Sequence, residues 1–169
     1  MSDITLLSPK LLTLNGKKLL CTIGRSGFET GVRKEGSGTT PTGRFALREC
    51  WYRPDRLAAP RTILPVLRIQ PDDGWCDAPL HEHYNRHVKL PFDASHETLW
   101  REDNMYDIII PLGYNDDPVI PGMGSAIFMH IAQPDYRTTE GCVALSREDM
   151  LWLLANITIE THIVIPSPP

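Results

Sequence analysis

The chain has 169 residues, of which 41% are hydrophobic and 22% charged, a composition typical of one folded globular domain rather than of a disordered segment. The formal net charge of −4 and the lack of a lysine- or arginine-rich run argue against nucleic-acid binding, which needs a concentrated basic surface. No apolar run is long enough to cross a bilayer, and residues 1–20 lack the basic start and unbroken apolar core of an export signal, so we expect neither feature.

Short strands joined by turns are the predicted architecture, because 12 glycines and 15 prolines are unfavourable for a helical bundle. Clusters of β-branched and aliphatic residues between turn formers predict strands at 18–24, 44–51, 63–70, 106–112, 125–131 and 161–165. The apolar runs at 108–110 and 126–129 do not alternate with polar residues, which predicts strands in the centre of a sheet that is covered on both faces. Residues 70–100 are predicted to be mostly loop, and loops of that length are often functional.

One helix is predicted near the C-terminus, directly after residue 145. Ser146 and Asp149 form a variant of the capping box, with a serine cap and an acidic residue in the first turn. Apolar residues at helical spacing follow: Met150, Leu151, Leu153 and Leu154. The helix is expected to end near Asn156. The elements together predict a mostly β fold of the α+β class, a mixed β-sandwich with one main C-terminal helix, formed by residues 1–169 as a single domain.

A histidine and a cysteine in the last third of the chain carry the candidate chemistry. His130 ends an apolar strand, where a buried imidazole needs a hydrogen-bond partner. Cys142 follows after eleven intervening residues, enough for a loop to fold back and bring the two side chains together. Gly141 permits a tight backbone turn directly before the cysteine. We therefore predict that Cys142 is a nucleophile, that His130 is its general base and raises the thiolate fraction, and that backbone N–H groups of residues 140–142 face a developing oxyanion.

Plainer interpretations of these residues stay open at this point. A cysteine among apolar neighbours is commonly a small buried hydrophobe without chemistry, and Cys142 fits that description too. A metal site built from His81, His83 and His87 with Cys76 nearby is an alternative, although solvated loop histidines are commoner than ligands. The four cysteines show no Cys-x-x-Cys spacing, so neither a zinc knuckle nor a redox motif is indicated, and a chain of this size does not need a disulfide framework.

Several sequence blocks resemble one family of catalytic domains. His130 with residues 139–143 (TEGCV) resembles the signature of L,D-transpeptidase catalytic domains of the YkuD type, in which a histidine is followed, after a loop, by Ser/Thr-His-Gly-Cys. Residues 38–45 (GTTPTGRF) are similar to the Thr-Pro-x-Gly-x-Phe segment near the start of those domains. Further blocks resemble the compact stand-alone branch of the family: 74–77, 84–85, 113–115 and 122–128. The resemblance spans nearly the whole chain and implies the YkuD fold.

The sequence also departs from the family pattern next to the cysteine. Glu140 stands where the family has its second histidine, Ala144 stands where many members have arginine or asparagine, and the loop from His130 to Cys142 is shorter than usual. The resemblance therefore carries over the nucleophile Cys142, the base His130 and the backbone oxyanion donor Gly141. It leaves in doubt the family's side-chain contacts to the donor peptide.

The resemblance implies a peptidoglycan L,D-transpeptidase that forms 3-3 or 1-3 cross-links through a cysteine thioester. Peptidoglycan stem peptides are the implied partners, no cofactor or metal is implied, and the oligomeric state is not indicated. The substrate implies the cell envelope or periplasm, although residues 1–20 show no export signal. Tyr114 and Asn115 are expected to contact the substrate, and Arg137 is expected to meet a substrate carboxylate.

Other functions share the same motifs. If water replaces the acceptor amine, the same site is an L,D-carboxypeptidase or a thiol hydrolase that cleaves cross-links. A non-catalytic cell-wall binding module, in which Cys142 is structural, is the alternative from a different class.

Overall fold

The computed structural model describes residues 2–169, and within this range the chain is mostly strand, with three sheets and one helix. The first sheet has the spatial order β3 (Lys17–Leu20), β2 (Leu11–Leu14), β1 (Ile4–Ser8), β13 (His162–Ile165) and β4 (Gly43–Ala46). The second has the order β12 (Val143–Leu145), β11 (Phe128–Ile131), β10 (Ile108–Pro111), β5 (Cys50–Tyr52) and β6 (Val66–Arg68). The third comprises β8 (His87–Lys89), β7 (Asp73–Cys76) and β9 (His96–Thr98), and helix α1 (Arg147–Asn156) joins β12 to β13.

The two five-stranded sheets share one hydrophobic core, which confirms the predicted mostly β fold. Alternate residues of the first sheet point into this core, whereas their neighbours are exposed or half-buried, as expected of a sheet with one solvated face. Buried side chains of both sheets meet there: Ile4, Leu12 and Ile163 from the first, and Ile110, Met129 and Leu145 from the second. The core therefore lies between the two sheets, and α1 adds to it.

The second sheet is buried on both faces, as the non-alternating sequence runs predict. All four residues of β10 and all four of β11 are buried, and β10 is the middle strand. Ile110 and Met129 face the shared core, whereas Ile109 and Phe128 belong to a second apolar cluster on the opposite face. The third sheet covers that cluster, with the Trp75 ring edge-on to Phe128 at 5.1 Å between ring centroids.

The strand predicted at 44–51 is two strands in different sheets. The chain leaves the first sheet after Ala46 and enters the second at Cys50. Between them, Leu47 makes an isolated bridge to Leu112. The apolar residues of this segment therefore contribute to two sheets, and sequence pattern cannot separate them.

Residues 70–100 lie mostly outside strands, as predicted, but they also contain the three strands of the third sheet, which the sequence-based prediction lacks. These strands are only three or four residues long and contain polar residues such as His87, Lys89 and Glu97, so they lack the apolar pattern of a strand. Antiparallel pairing of β7 with both neighbours holds them together. The sequence-based prediction also lacks β1, β2 and β12.

Helix α1 confirms the predicted cap and the predicted end. The Ser146 hydroxyl accepts a hydrogen bond from the Asp149 N–H at 3.1 Å, which satisfies one of the unpaired donors of the first turn. Its buried residues pack into the shared core: Met150, Leu153 and Leu154. Among residues 2–169, no helix has both the length and the apolar character needed to span a membrane.

Candidate active site

A cleft of about 420 Å³ opens on the second five-stranded sheet, on the face opposite the shared core. Both His130 and Cys142 line it. Strands β11 and β12 are parallel neighbours, with Met129 opposite Val143 and His130 opposite Ala144. Because side chains alternate along a strand, Phe128, His130 and the adjoining Cys142 project from the same face. The structure thus brings the predicted base and the predicted nucleophile to one cleft.

The Cys142 thiol lies between two backbone groups of the preceding segment. Its S–H donates to the Ala126 carbonyl at 3.2 Å, and its Sγ accepts from the Phe128 N–H at 3.4 Å. Burial, and after it the charge of Glu97, raises the pKa of the thiol to about 12, although the Phe128 N–H and the Arg33 guanidinium oppose this shift. The thiol is therefore neutral in this structure, because desolvation outweighs the activation that the sequence predicts.

His130 has the tautomer that a general base requires. Its Nδ1 lies 2.9 Å from the Ile131 carbonyl oxygen, which can only accept, so Nδ1 carries the proton and Nε2 carries the lone pair. Burial lowers the pKa of the imidazole to about 4, and the hydrogen bond to Ile131 opposes that shift. The ring is therefore neutral and able to accept a proton. A backbone carbonyl is the group that orients it.

Asn85 holds the segment that carries the thiol's hydrogen-bond acceptor. Ala126 has a positive φ of +52°, which is strained for a residue with a side chain, and its N–H donates to the Asn85 Oδ1 at 3.0 Å. The same Oδ1 accepts from the Trp75 indole N–H at 3.0 Å, and the Asn85 amide donates to the carbonyl oxygens of Tyr114 and Asn115. Asn85 therefore joins three segments below the cleft and fixes the backbone against which Cys142 rests.

Gly141 occupies a position that only glycine fits. Its φ is +146°, and a Cβ added there would lie 2.8 Å from the Thr39 carbonyl oxygen and 2.8 Å from Arg33 Nη2. The predicted oxyanion donor is engaged, because the Gly141 N–H donates to the Thr139 hydroxyl at 3.1 Å. That hydroxyl donates in turn to the Cys142 carbonyl at 2.7 Å. An oxyanion role for Gly141 stays a prediction.

The three predicted substrate contacts lie outside the residues that line the cleft. The Tyr114 hydroxyl donates to the Met123 carbonyl, and the Asn115 side chain bonds to the backbone of residues 120 and 124, so both brace a loop. Arg137 is exposed and forms an ion pair with Asp135 at 2.9 Å. Substrate binding by these residues stays a prediction without geometric support.

Charged and polar side chains from distant parts of the chain complete the cleft, and sequence reasoning missed them. The Tyr106 hydroxyl donates to Glu97 Oε2 at 2.8 Å, and burial raises the pKa of Glu97. Glu35 accepts from the hydroxyls of Tyr84 and Ser125 at 3.0 and 2.7 Å. Arg33 lines the same cleft and is buried. No local spacing links these residues to Cys142, so sequence pattern carried no signal for them.

The residues proposed as an alternative metal site do not lie around one point. The rings of His81 and His83 pack near each other and against Phe92, whereas the His87 Nε2 lies 2.7 Å from Asp73 Oδ1. Cys76 is fully buried. Over residues 2–169, no group of three or more His, Cys, Asp or Glu side chains is arranged to hold a metal ion.

Comparison with known proteins agrees with the motif resemblance. The family model of the L,D-transpeptidase catalytic domain (YkuD) matches residues 7–165 of the 169-residue chain. This range starts within β1, reaches the end of β13 and includes both His130 and Cys142. No curated protein and no solved structure gives a match.

Proposed function

The chain belongs to the family of L,D-transpeptidase catalytic domains, and from that premise we propose that it is a cysteine acyltransferase acting on peptidoglycan stem peptides. The observation that supports this best is the shared cleft, in which Cys142 and a neutral His130 project from the same face of one sheet. A peptidoglycan substrate also implies action in the cell envelope.

The first half of the reaction forms a thioester. His130 Nε2 accepts the thiol proton while Sγ of Cys142 attacks the carbonyl carbon of the third residue of a donor stem peptide. The bond from that carbonyl to the nitrogen of the terminal D-amino acid then breaks. The leaving nitrogen takes the proton from His130 and departs as an amine, so the donor remains on the sulfur as a thioester.

The second half transfers the acyl group to an acceptor. An amine of a neighbouring stem peptide attacks the thioester carbonyl, His130 removes the proton of that amine, and Cys142 regains it as a thiol. The product is a cross-link of the 3-3 or 1-3 type. If water attacks instead, the product is a shortened peptide, which is the carboxypeptidase outcome.

Activation of the thiol depends on the substrate. The pKa of Cys142 is about 12 and that of His130 about 4, so proton transfer between them is unfavourable before binding. The attack places negative charge on the substrate oxygen, where backbone N–H dipoles stabilise it and offset the unfavourable transfer. Cys142 is therefore expected to react with a bound donor much faster than with a small free electrophile.

Product analysis on muropeptides tests this function. We expect the wild-type protein to convert disaccharide tetrapeptides into dimers that lack one terminal D-residue, measured by liquid chromatography and mass spectrometry. Cys142→Ala and His130→Gln should each lower the rate by about a thousandfold or more. Cys21→Ala, which removes a buried thiol that does not line this cleft, should retain activity.

The alternatives give different products in the same experiment. Shortened monomers without dimers would indicate the carboxypeptidase, and loss of dimers from a cross-linked substrate would indicate the cross-link hydrolase. Unchanged muropeptides with folded wild-type protein would contradict an enzymatic function and favour the binding module.

A further inference from the structure

Arg33 is a buried cation without a carboxylate partner. It is 5% exposed, and no Asp or Glu carboxylate oxygen within residues 2–169 lies within 4.0 Å of its guanidinium. Arg53, which is equally buried at 3% exposed, forms an ion pair with Asp55 at 2.9 Å. Taking a guanidinium out of water is costly unless a counter-charge offsets the loss of hydration. Glu29, whose pKa the charge of Arg33 lowers, makes no ion pair with it, so the contrast with Arg53 leaves Arg33 able to pair with a counter-charge from outside the chain.

The guanidinium of Arg33 is held in place by hydrogen bonds, but not all of its N–H donors have an acceptor. Its Nε donates to the Thr39 carbonyl at 2.8 Å, and its Nη2 makes a long contact of 3.4 Å to the Glu140 carbonyl. Its Nη1 is buried and has no hydrogen-bond acceptor in the part of the chain that the structure describes, the one side-chain atom there of which this is true. Two backbone carbonyls thus fix the orientation of the guanidinium, and Nη1 keeps hydrogen-bond donors without an acceptor.

Two glycines make room for this side chain beside the nucleophile. A Cβ on Gly124 would overlap Nη1, and a Cβ on Gly141 would lie 2.8 Å from Nη2. Gly141 directly precedes Cys142, so the guanidinium lies against the backbone that carries the reactive thiol. The charge of Arg33 also lowers the pKa of Cys142, which agrees with this proximity.

The other charges of the cleft restrict where an anion can bind. Arg101 also lines the cleft, but it is paired with Asp103 at 2.6 Å. The carboxylates of Glu35, Asp77 and Glu97 line the cleft as well, and each would repel the carboxylate of a ligand bound near it. Among the cleft residues that the structure describes, Arg33 is therefore the one arginine without an ion-pair partner.

We propose that Arg33 binds the C-terminal carboxylate of the donor peptide. This inference rests on the proposed function, in which the terminal residue of the donor leaves when Cys142 attacks. The leaving residue carries a carboxylate one residue beyond the attacked carbonyl, and a cation beside residues 141 and 142 is placed to receive it. The site thereby selects donors that end directly after the scissile bond. A longer peptide, or one with a C-terminal amide, presents no charge at that point.

A comparison of two donors tests the inference. We expect wild-type protein to use a tetrapeptide with a free C-terminus about 10- to 100-fold better in kcat/KM than the same peptide with a C-terminal amide. Arg33→Gln should lower kcat/KM for the free acid to the level of the amide and leave the amide nearly unchanged. Arg33→Lys keeps the positive charge but cannot donate two parallel hydrogen bonds to a carboxylate, so it should retain part of the preference for the free acid.

Arg25→Gln is the matched control, because Arg25 is an exposed arginine near the cleft that is already paired with Glu140 at 3.0 Å. It should keep the full preference for the free acid. A wild-type protein that uses both donors equally would overturn the inference. So would an Arg33→Gln protein that loses kcat equally with both donors, since that result assigns Arg33 to the oxyanion.

A second readout separates failure of this inference from failure of the proposed function. Cys142 is alkylated with iodoacetate and with iodoacetamide at one pH, and its modification is followed by peptide mapping. Arg33→Gln should lower the rate ratio of the anionic to the neutral reagent several-fold, and an unchanged ratio would contradict anion binding at Arg33. If the folded wild-type protein turns over neither donor, the proposed function and the donor assignment both fall, whatever the ratio shows.

Discussion

His130 and Cys142 are both neutral, the protonation state in which a buried side chain loses the least hydration free energy. The imidazole keeps a low pKa and the thiol a high one, and burial is the largest cause in both cases. Each nevertheless donates one oriented hydrogen bond to the backbone, from Nδ1 to the Ile131 carbonyl and from the thiol to the Ala126 carbonyl. The side chains are therefore positioned before reaction without being charged, which leaves the ionisation step to the bound substrate.

The low pKa of His130 makes stability depend on pH in a defined window. Its folded-state pKa is about 4 and its ordinary value 6.5, so between these values the unfolded chain binds more protons and the free energy of unfolding falls as the pH falls. A shift of this size corresponds to about 3 kcal/mol, fully lost below pH 4. We expect urea unfolding of the wild type between pH 7 and pH 4 to show a steeper loss of stability than His130→Asn. Equal losses in the two proteins would contradict the pKa assigned to His130.

One buried carboxylate joins three elements behind the cleft. Asp107 is fully buried, and its oxygens accept from Arg56 at 2.7 Å, from Asn104 at 2.9 Å and from Arg147. Arg147 is the first residue of α1, where the positive end of the helix dipole disfavours a cation, so the Asp107 carboxylate offsets an unfavourable placement. The contacts fix the helix start to the loop before β10 and to the segment after β5.

Asp107→Asn should destabilise the protein by about 3 kcal/mol, because it leaves two arginines near a buried site without their counter-charge. Asp103→Asn is the control, since the Asp103 pair with Arg101 is half-exposed and should contribute no more than about 1 kcal/mol. Denaturant unfolding of the three proteins measures both effects. Equal and small losses would show that the Asp107 contacts do not stabilise this junction.

A helix or strand can be predicted from the sequence when the residues that determine it lie close together in the chain. Helix α1 was predictable because Ser146, Asp149 and the apolar spacing lie within a few residues of one another. Strands β10 and β11 were predictable because both faces are buried and their sequence is uniformly apolar. Strands β7, β8 and β9 were not, since three or four residues with charged members form a strand only when their partners are present.

The candidate site was predictable only where it is local. His130 and Cys142 lie close together in the chain and belong to a motif, whereas Arg33, Glu35 and Glu97 reach the cleft through the fold. Their roles depend on which carboxylates and arginines form ion pairs, and tertiary packing determines that pairing. The substrate contacts predicted at Tyr114 and Asn115 show the converse, because motif residues can brace a loop instead of lining a cleft.

Strand β13 ties the two ends of the molecule together. It pairs in parallel with β1 near the N-terminus and antiparallel with β4, so the first sheet depends on a strand from the end of the chain. Such pairings form late and favour all-or-none folding, because loop closure must precede their stabilisation. The single domain predicted for residues 1–169 should therefore unfold in one cooperative transition.

Ile163→Ala should lower the stability of the whole molecule by about 2–5 kcal/mol, since Ile163 is fully buried in the shared core. Ile159→Ala is a matched control at an 85% exposed position and should change stability by no more than about 0.5 kcal/mol. Tryptophan fluorescence and far-UV circular dichroism should give coincident transitions in urea. Two separate transitions would contradict a single cooperative unit.

Thioester formation at Cys142 is tested most directly by the mass of the intact protein after rapid mixing with a tetrapeptide donor. We expect a covalent species whose mass exceeds that of the free protein by the mass of the donor less its terminal D-amino acid. Peptide mapping should locate it at Cys142, and it should be absent from Cys142→Ala. A wild-type protein that forms no such species, or an adduct that persists in Cys142→Ala, would contradict the assignment of Cys142 as the nucleophile.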